Sequence, residues 1–146
     1  MANFFAPCDE LWHAGDIGGL GLADTIARYR PLRAVYGNVD DATTRGEYPH
    51  HQFFEVEGLW VLMLHIGGAP GAYSPEAVEL LAQHRADVLV CGHSHILRVE
   101  RDAARGLLYM NPGASGLFGP HTVRTALRFS VEAGRVGGLE VWEHSR

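Results

Sequence analysis

The chain has 146 residues, a net charge of −5 and 47% hydrophobic residues, which suits a single domain, residues 1–146, with a sizeable core. Its acidic balance and scattered basic residues argue against a nucleic-acid surface, and no apolar stretch is long enough to cross a bilayer. The opening MANFFAPCDELW does not resemble a signal peptide, so we expect a cytoplasmic protein whose Cys8 and Cys91 stay reduced.

Short apolar runs alternate with amphipathic segments in the first half of the chain, a pattern that favours a layered α/β fold. A polar loop separates its third and fourth predicted elements, and the last two should pair as a hairpin around Gly58. The predicted elements are a strand at ELWHAG (10–15), a helix at LADTIARYR (22–30) that ends before Pro31, and strands at RAVYG (33–37), HQFFEVEG (51–58) and LWVLMLH (59–65).

The second half begins with the clearest helix, SPEAVELLAQHR (74–85). Ser74 is predicted to be its N-cap and Pro75 its first residue. We expect its apolar face to be formed by Val78, Leu81 and Ala82. A buried strand, ADVLVCG, follows, and the remaining chain predicts antiparallel strands joined at glycine-containing turns.

Four predicted strands end in turns that carry side chains able to bind metal. Ligands in open α/β sheets bind beyond the carboxyl ends of the strands, so residues distant in sequence can meet there. A carboxylate, an amide oxygen and three imidazoles suit Mn, Fe, Co, Ni or Zn better than Mg or Ca. Each of these turns alone is most often structural, and their combination in this order favours a metal site. The residues are Asp16, Asn38, His65, His93 and His95.

Glycine stands directly before three of these candidate ligands, at Gly15, Gly37 and Gly92. A residue without Cβ permits the tight backbone path that such a turn needs. The glycines therefore strengthen the prediction that the three turns approach one another closely.

The order of these motifs resembles the calcineurin-like metallophosphoesterase superfamily, in particular its small bacterial and archaeal phosphodiesterase branch, which includes the retromer scaffold subunit. The matching motifs are GD at 15–16, GNVD at 37–40, LHIGG around His65, GHSH at 92–95 and NPGASG at 111–116. The resemblance covers nearly the whole chain. It implies an α/β fold of two packed mixed β-sheets flanked by helices, a four-layer sandwich.

The resemblance also implies the roles of the site residues. Asp16 would bridge two metal ions, Asn38, His65 and His93 would complete the second site, and His95 would bind the first. Two ions about 3.5 to 4 Å apart activate a shared water, and the bridging hydroxide would attack a phosphodiester. Manganese is the expected metal, with Fe, Ni, Co and Zn as alternatives. Asn38 would also touch the phosphate, and His121 is a candidate to line the substrate cleft.

The sequence departs from the family pattern at its start and at one motif position. The family motif D-x-H is absent, so we expect the first strand of the fold and its loop to be missing, with two ligands of the first metal. The complete family site holds two metal ions, and this chain would hold either one ion or, if other groups replace the lost ligands, two. Val39 stands where many relatives have a histidine that helps the leaving group depart, which favours diesters with good leaving groups.

The sequence is compatible with three functional classes. The first is an active phosphodiesterase acting on a small phosphodiester, and the second is a one-metal or metal-free scaffold of the same fold. The third is a fragment that only self-associates through an exposed sheet edge, so a homo-oligomer is one expected state. Manganese-dependent hydrolysis of an aryl phosphodiester would distinguish the first class from the other two.

Three further histidines are expected to have no part in the site. His13 is predicted to be a core histidine, although an incomplete first metal site could recruit it. His50 and His51 precede a strand and are predicted to face solvent.

Overall fold

The computed structural model describes all residues from 1 to 146. It contains four helices and eleven strands. In chain order they are α1 (Ala2–Phe5), β1 (Leu11–Ala14), α2 (Leu20–Tyr29), β2 (Leu32–Val35), α3 (Ala42–Glu47), β3 (His51–Val56), β4 (Leu59–Leu64), β5 (Gly68–Ala69), β6 (Ala72–Tyr73), α4 (Pro75–Gln83), β7 (Val88–Val90), β8 (Leu97–Asp102), β9 (Leu107–Pro112), β10 (Val123–Glu132) and β11 (Arg135–Ser145).

The largest sheet has five strands in the order β3-β4-β7-β9-β8. Its centre is parallel, since β7 pairs in parallel with both β4 and β9, and its two outer pairs are antiparallel. The β3–β4 hairpin turns at Glu57 and Gly58, whose φ angles of 48° and 81° match a two-residue hairpin turn of the primed type. The predicted hairpin around Gly58 is therefore present.

A second β layer covers one face of this sheet. It consists of the parallel pair β1–β2 and the long antiparallel hairpin β10–β11, which are not hydrogen-bonded to each other. β1 and β10 thus each leave one edge unpaired, the kind of edge through which chains self-associate. The core between the layers contains Ala14, Val35, Phe54, Leu59, Val61, Met63, Val88, Val90 and Met110.

Helices cover the two outer faces. On the far side of the five-stranded sheet, α4 contributes Ala77 and Leu80 to a cluster with sheet residues such as Leu62 and Leu89. On the outer side of β1–β2, Ala23 of α2 packs with Ile17 and Ala34. The predicted α/β architecture of two packed sheets flanked by helices is confirmed. None of the helices has both the length and the apolar composition to span a membrane.

The structure corrects two predictions about helices. The segment predicted to be a polar loop after β2 contains α3, which Asp41 caps by accepting a hydrogen bond from the Thr44 amide at 2.8 Å. In α4 the predicted cap at Ser74 is present, with its Oγ 3.1 Å from the Ala77 amide nitrogen. Its buried residues are Ala77 and Leu80, however. Of the predicted apolar face, Leu81 packs against the core, whereas Val78 is 40% exposed and Ala82 is also exposed, so the prediction was wrong for these two residues.

Candidate metal centre

The candidate ligands follow the ends of four strands at one edge of the molecule. Asp16 lies two residues beyond β1, Asn38 three beyond β2, His65 directly after β4 and His93 three beyond β7. Parallel pairing of β1 with β2 and of β4 with β7 directs these ends the same way. The structure thus brings together side chains that lie up to 77 positions apart, from Asp16 to His93.

His65 lies at the centre of this group and is 3% exposed. Its Nδ1 is 2.6 Å from the Ala14 carbonyl oxygen, which only accepts, so Nδ1 carries the proton. Its Nε2 is 3.0 Å from Oδ1 of Asn38 and 3.2 Å from Oδ2 of Asp16. In the neutral imidazole, Nε2 therefore presents a lone pair to two oxygens that also carry lone pairs.

His93 approaches the same oxygen from the other side. Its Nδ1 is 2.9 Å from Oδ1 of Asn38, and its ring lies edge-on to that of His65 with centroids 5.3 Å apart. Asp16 and Asn38 thus both turn an oxygen towards Nε2 of His65, and His93 faces the same amide oxygen, so lone pairs accumulate where a cation would be stabilised. A metal-binding histidine characteristically donates its other N–H to a carbonyl, as His65 does. The donor set fits a borderline divalent cation.

His95 lies beside this cluster and contacts a second histidine. Its Nδ1 is 3.1 Å from Nδ1 of His121, whose Nε2 is 3.1 Å from the Gly116 carbonyl oxygen. Because the carbonyl only accepts, neutral His121 carries its proton on Nε2 and accepts at Nδ1. His95 then donates from Nδ1, which leaves the lone pair of its Nε2 available to a ligand.

Backbone strain is concentrated in the same loops. Three of the five non-glycine residues with positive φ are here, namely Asp16 at 55°, His93 at 66° and His95 at 59°. The other two, Glu57 and Ala133, belong to hairpin turns that require this conformation. Left-handed backbone costs a non-glycine residue on the order of 1 kcal/mol or more, and it persists where function or the surrounding structure demands it.

Glycines permit the close approach of these loops, as predicted. A Cβ on Gly37 would lie 2.0 Å from Oδ1 of Asp16 and 2.3 Å from its amide nitrogen. A Cβ on Gly15 would lie 2.6 Å from Nδ1 of His65, and one on Gly92 would lie 2.7 Å from the Ala14 carbonyl oxygen. No side chain fits at these positions.

Two residues that sequence reasoning gave no role hold the GNVD loop. The buried carboxylate of Asp40 accepts hydrogen bonds from the Gly37 amide at 2.8 Å and the Gly18 amide at 3.1 Å, which joins two of the loops. The Arg45 guanidinium donates to the carbonyl oxygens of Asp40 and Asn38 at 2.8 and 2.6 Å. Asp40 is the last residue of the GNVD motif and could have been found from the sequence. Arg45 lies in α3, a helix that the sequence did not predict.

A third such residue is Asn111, the first residue of the NPG turn, which is 1% exposed. Its Nδ2 donates to the Gly92 carbonyl oxygen at 2.8 Å and to Oγ of Ser94 at 3.1 Å, while its Oδ1 accepts from the Gly113 amide at 3.0 Å. Asn111 therefore holds the GHSH loop from behind and does not itself reach the ligand cluster.

Burial lowers the pKa of two histidines at this edge. Desolvation is the largest cause for His13, whose Nδ1 is buried without a hydrogen bond, and the nearby Asp40 opposes it. Desolvation also lowers the pKa of His95, and the neighbouring His121 adds to the effect. Both imidazoles are therefore held in the neutral form, the form that binds metal.

The metal-free protein should lose stability as the pH falls below about 6.5. A folded-state pKa below the ordinary value of 6.5 means that the unfolded chain binds more protons, so acid favours unfolding. Urea unfolding at about pH 7.5 and about pH 5.5 should give a lower free energy at the acidic value. His13→Gln should shrink that difference, whereas His144→Gln, at an exposed position, should not. An equal pH dependence in both variants would contradict the assignment.

Comparison with known proteins identifies the class. A family model described as the calcineurin-like phosphoesterase superfamily domain matches residues 1–134. The chain therefore belongs to the calcineurin-like phosphoesterase superfamily, as its motifs predicted.

Individual relatives are more distant. A protein of Methanothermobacter thermautotrophicus described as "Probable metallophosphoesterase" is 28% identical over 112 residues, which are 75% of this chain and 62% of the relative. Vps29 from Entamoeba histolytica, solved with Zn²⁺, superimposes with a TM-score of 0.70 at 18% identity, covering 94% of this chain and 82% of that one. A novel archaeal phosphodiesterase gives a TM-score of 0.71 at 18% identity, covering 99% and 88%. Both structures share the fold.

Proposed function

We propose that this protein is a metal-dependent phosphodiesterase. The observation that carries the proposal is the convergence of lone-pair atoms from Asp16, Asn38, His65 and His93 at one sheet edge. Membership of the phosphoesterase superfamily supports it. A divalent metal bound there would polarise a phosphoryl oxygen and activate water for in-line attack.

The protein's own contribution is to hold these side chains in fixed orientations. Asp16 is oriented by the Val39 amide, which donates to its Oδ1 at 3.1 Å and leaves Oδ2 facing His65. His65 is fixed by its bond to the Ala14 carbonyl oxygen. The amide oxygen of Asn38 faces the two imidazoles, so its Nδ2 remains free to donate a hydrogen bond to a phosphate oxygen.

Manganese is our proposed metal, with iron, nickel, cobalt and zinc as alternatives of similar ligand preference. Asp16, Asn38, His65 and His93 would hold one ion, and His95 would offer its Nε2 to a second. The hydrogen-bond partner of His95 is His121, and no carboxylate is hydrogen-bonded to it. The second ion would therefore bind more weakly than the first.

The surroundings of the cluster favour a diester with an apolar or aromatic leaving group. Val39 is 71% exposed at the position where a proton donor would assist departure, so a poor leaving group would receive no help. Apolar side chains adjacent in sequence to the ligand loops are also exposed, namely Ile96, Leu117 and Phe118. They provide a surface for an aromatic group.

Protein purified with manganese should hydrolyse bis(p-nitrophenyl) phosphate, and a chelator should abolish the activity. Hydrolysis of an alkyl phosphomonoester should be at least about 100-fold slower, because Val39 cannot protonate an alkoxide. The measurement is kcat/KM for both substrates with metal content determined in parallel. Comparable rates on both substrates would refute the proposed leaving-group preference. Metal binding without hydrolysis of either substrate would refute the proposed phosphodiesterase activity.

We further propose that His121 positions His95 and does not itself bind the substrate. His121→Ala should raise the manganese concentration needed for half-maximal activity by about 10- to 100-fold, the usual cost of removing a group that orients a ligand. KM for the diester at saturating manganese should stay within about twofold. A large rise in KM with unchanged metal dependence would instead support the substrate-lining role predicted from the sequence.

A second candidate function is a binding module with one metal or none. Asp16, Asn38, His65 and His93 are linked by short contacts, whereas His95 contacts only His121, and this separation favours the alternative over a complete two-metal enzyme. Metal bound at one equivalent with no turnover of any phosphodiester would support it. The unpaired edges of β1 and β10 would in that case make a homo-oligomer the expected state.

A further inference from the structure

A second group of metal-binding side chains lies apart from the centre described above. His50 directly precedes β3, His51 is its first residue, and Glu76 lies in the first turn of α4. One ligand atom from each of the three lies within 4.8 Å of the other two. We propose that His50, His51 and Glu76 form a separate site for a borderline divalent ion such as Zn²⁺.

The spacing and the donor types fit such an ion. Ligand atoms about 2.0 to 2.1 Å from a tetrahedral zinc ion lie about 3.3 Å apart. Nδ1 of His50 and Oε1 of Glu76 are already 3.0 Å apart, so only His51 needs to move closer by a change in side-chain torsion. Two imidazoles and a carboxylate make a three-ligand zinc set with a fourth position open to water. They are a poor set for Mg²⁺ or Ca²⁺, which prefer oxygen.

Neighbouring contacts hold the ring of His50 and the backbones of His51 and Glu76 in place. The His50 ring stacks on Tyr36 with centroids 5.1 Å apart and an angle of 24°. His51 is fixed in the β3–β4 ladder opposite Leu64. The N-cap at Ser74 fixes the first turn of α4 and therefore the backbone of Glu76. This anchoring lowers the entropy cost of ordering the three side chains around an ion.

An ordinary ion pair does not account for the arrangement. His50 and Glu76 have side chains 46% and 42% exposed, and a pair this exposed contributes little to stability. It also gives no reason for His51 to join the group. The same exposure gives an ion direct access from solvent.

The site would connect three parts of the fold. An ion there joins the start of β3 to the start of α4, and the stacked Tyr36 directly precedes the GNVD loop that carries Asn38. Because the ion binds the folded chain only, zinc should raise the unfolding temperature of the protein. The stabilisation would not depend on the proposed catalytic centre.

The test separates the two sites by disabling the first. In a chain carrying Asp16→Asn and His93→Ala, Co²⁺ titration should show one equivalent with the intense visible absorption of a tetrahedral site. Zinc should displace the cobalt and raise the unfolding temperature. Adding His51→Ala or Glu76→Gln should weaken zinc binding by at least about tenfold. Loss of a metal ligand should reduce the affinity at least as much as loss of a group that hydrogen-bonds to a ligand. His144→Ala, which removes an exposed histidine elsewhere, should leave binding unchanged.

Equal zinc affinity with and without Glu76→Gln, or no cobalt spectrum in the disabled chain, would overturn the proposal. Where the disabled chain fails to fold, zinc per chain is compared between the natural sequence and Glu76→Gln, an exposed substitution of the same shape. Loss of one equivalent supports the site, and an unchanged content refutes it. Neither result depends on phosphodiesterase activity, so the two proposals can fail independently.

Discussion

Replacement of His93 by alanine should reduce manganese-dependent hydrolysis of an aryl phosphodiester by at least about 1,000-fold. A metal ion contributes several kcal/mol of transition-state stabilisation, and each 1.36 kcal/mol corresponds to about tenfold in rate. His93 presents Nδ1 to the amide oxygen of Asn38, which also faces Nε2 of His65. Its side chain is exposed, so its removal should leave the core intact.

The measurement combines kcat/KM, metal content and thermal unfolding for His93→Ala and for His144→Ala. The second variant removes an exposed imidazole from β11, far along the chain from the ligand loops, and should retain full activity. A His93→Ala protein that is folded and hydrolyses the diester at more than about a tenth of the normal rate would show that the cluster is not the catalytic centre.

Gly37→Ala should damage the candidate metal centre without removing any of its ligands. The new Cβ would lie 2.0 Å from Oδ1 of Asp16 and 2.3 Å from its backbone nitrogen, so two loops must separate. Overpacking of this kind costs about 1 to 3 kcal/mol and occasionally more. We also expect metal binding to weaken, because the clash falls on the carboxylate that faces His65.

Gly46→Ala is the matched control for that substitution. Gly46 lies in α3, and an added Cβ there would meet nothing within 4 Å. Alanine replaces glycine in a helix with a gain of about 0.5 to 1 kcal/mol. The same chemical change should therefore lower the free energy of unfolding at position 37 and raise it at position 46, as measured by urea denaturation. A similar effect at both positions would contradict the steric explanation.

Sequence patterns predicted those local features that depend on the chemistry of one or two residues, and they failed for features that depend on packing. The hairpin at Gly58 and the cap at Ser74 follow from turn and capping chemistry that is local to each residue. The short helix α3 was missed because Thr43, Thr44 and Gly46 are weak helix formers, so its stability depends on the Asp41 cap and on contacts made elsewhere. The buried face of α4 was misplaced because nine residues allow more than one apolar stripe.

The proximity of the candidate ligands was predictable from the sequence, whereas the contacts that support them were not. Motif order placed Asp16, Asn38, His65 and His93 at strand ends, and the parallel pairing of those strands brings them together. The contact between His95 and His121, which are 26 positions apart, depends on the path of the chain between them, which no periodicity encodes.

The hydrogen bonds of Asp40 have a consequence for how this protein could change over evolutionary time. Its carboxylate bonds to backbone amides on two loops and to the side chain of none of the candidate ligands, so this link between the loops does not depend on a bound metal. A descendant that lost His93 would lose the proposed catalysis and could keep much of the same surface for a new partner. Conservation of Asp40 across relatives would therefore indicate a retained loop shape, whereas conservation of the histidines would indicate a retained metal site.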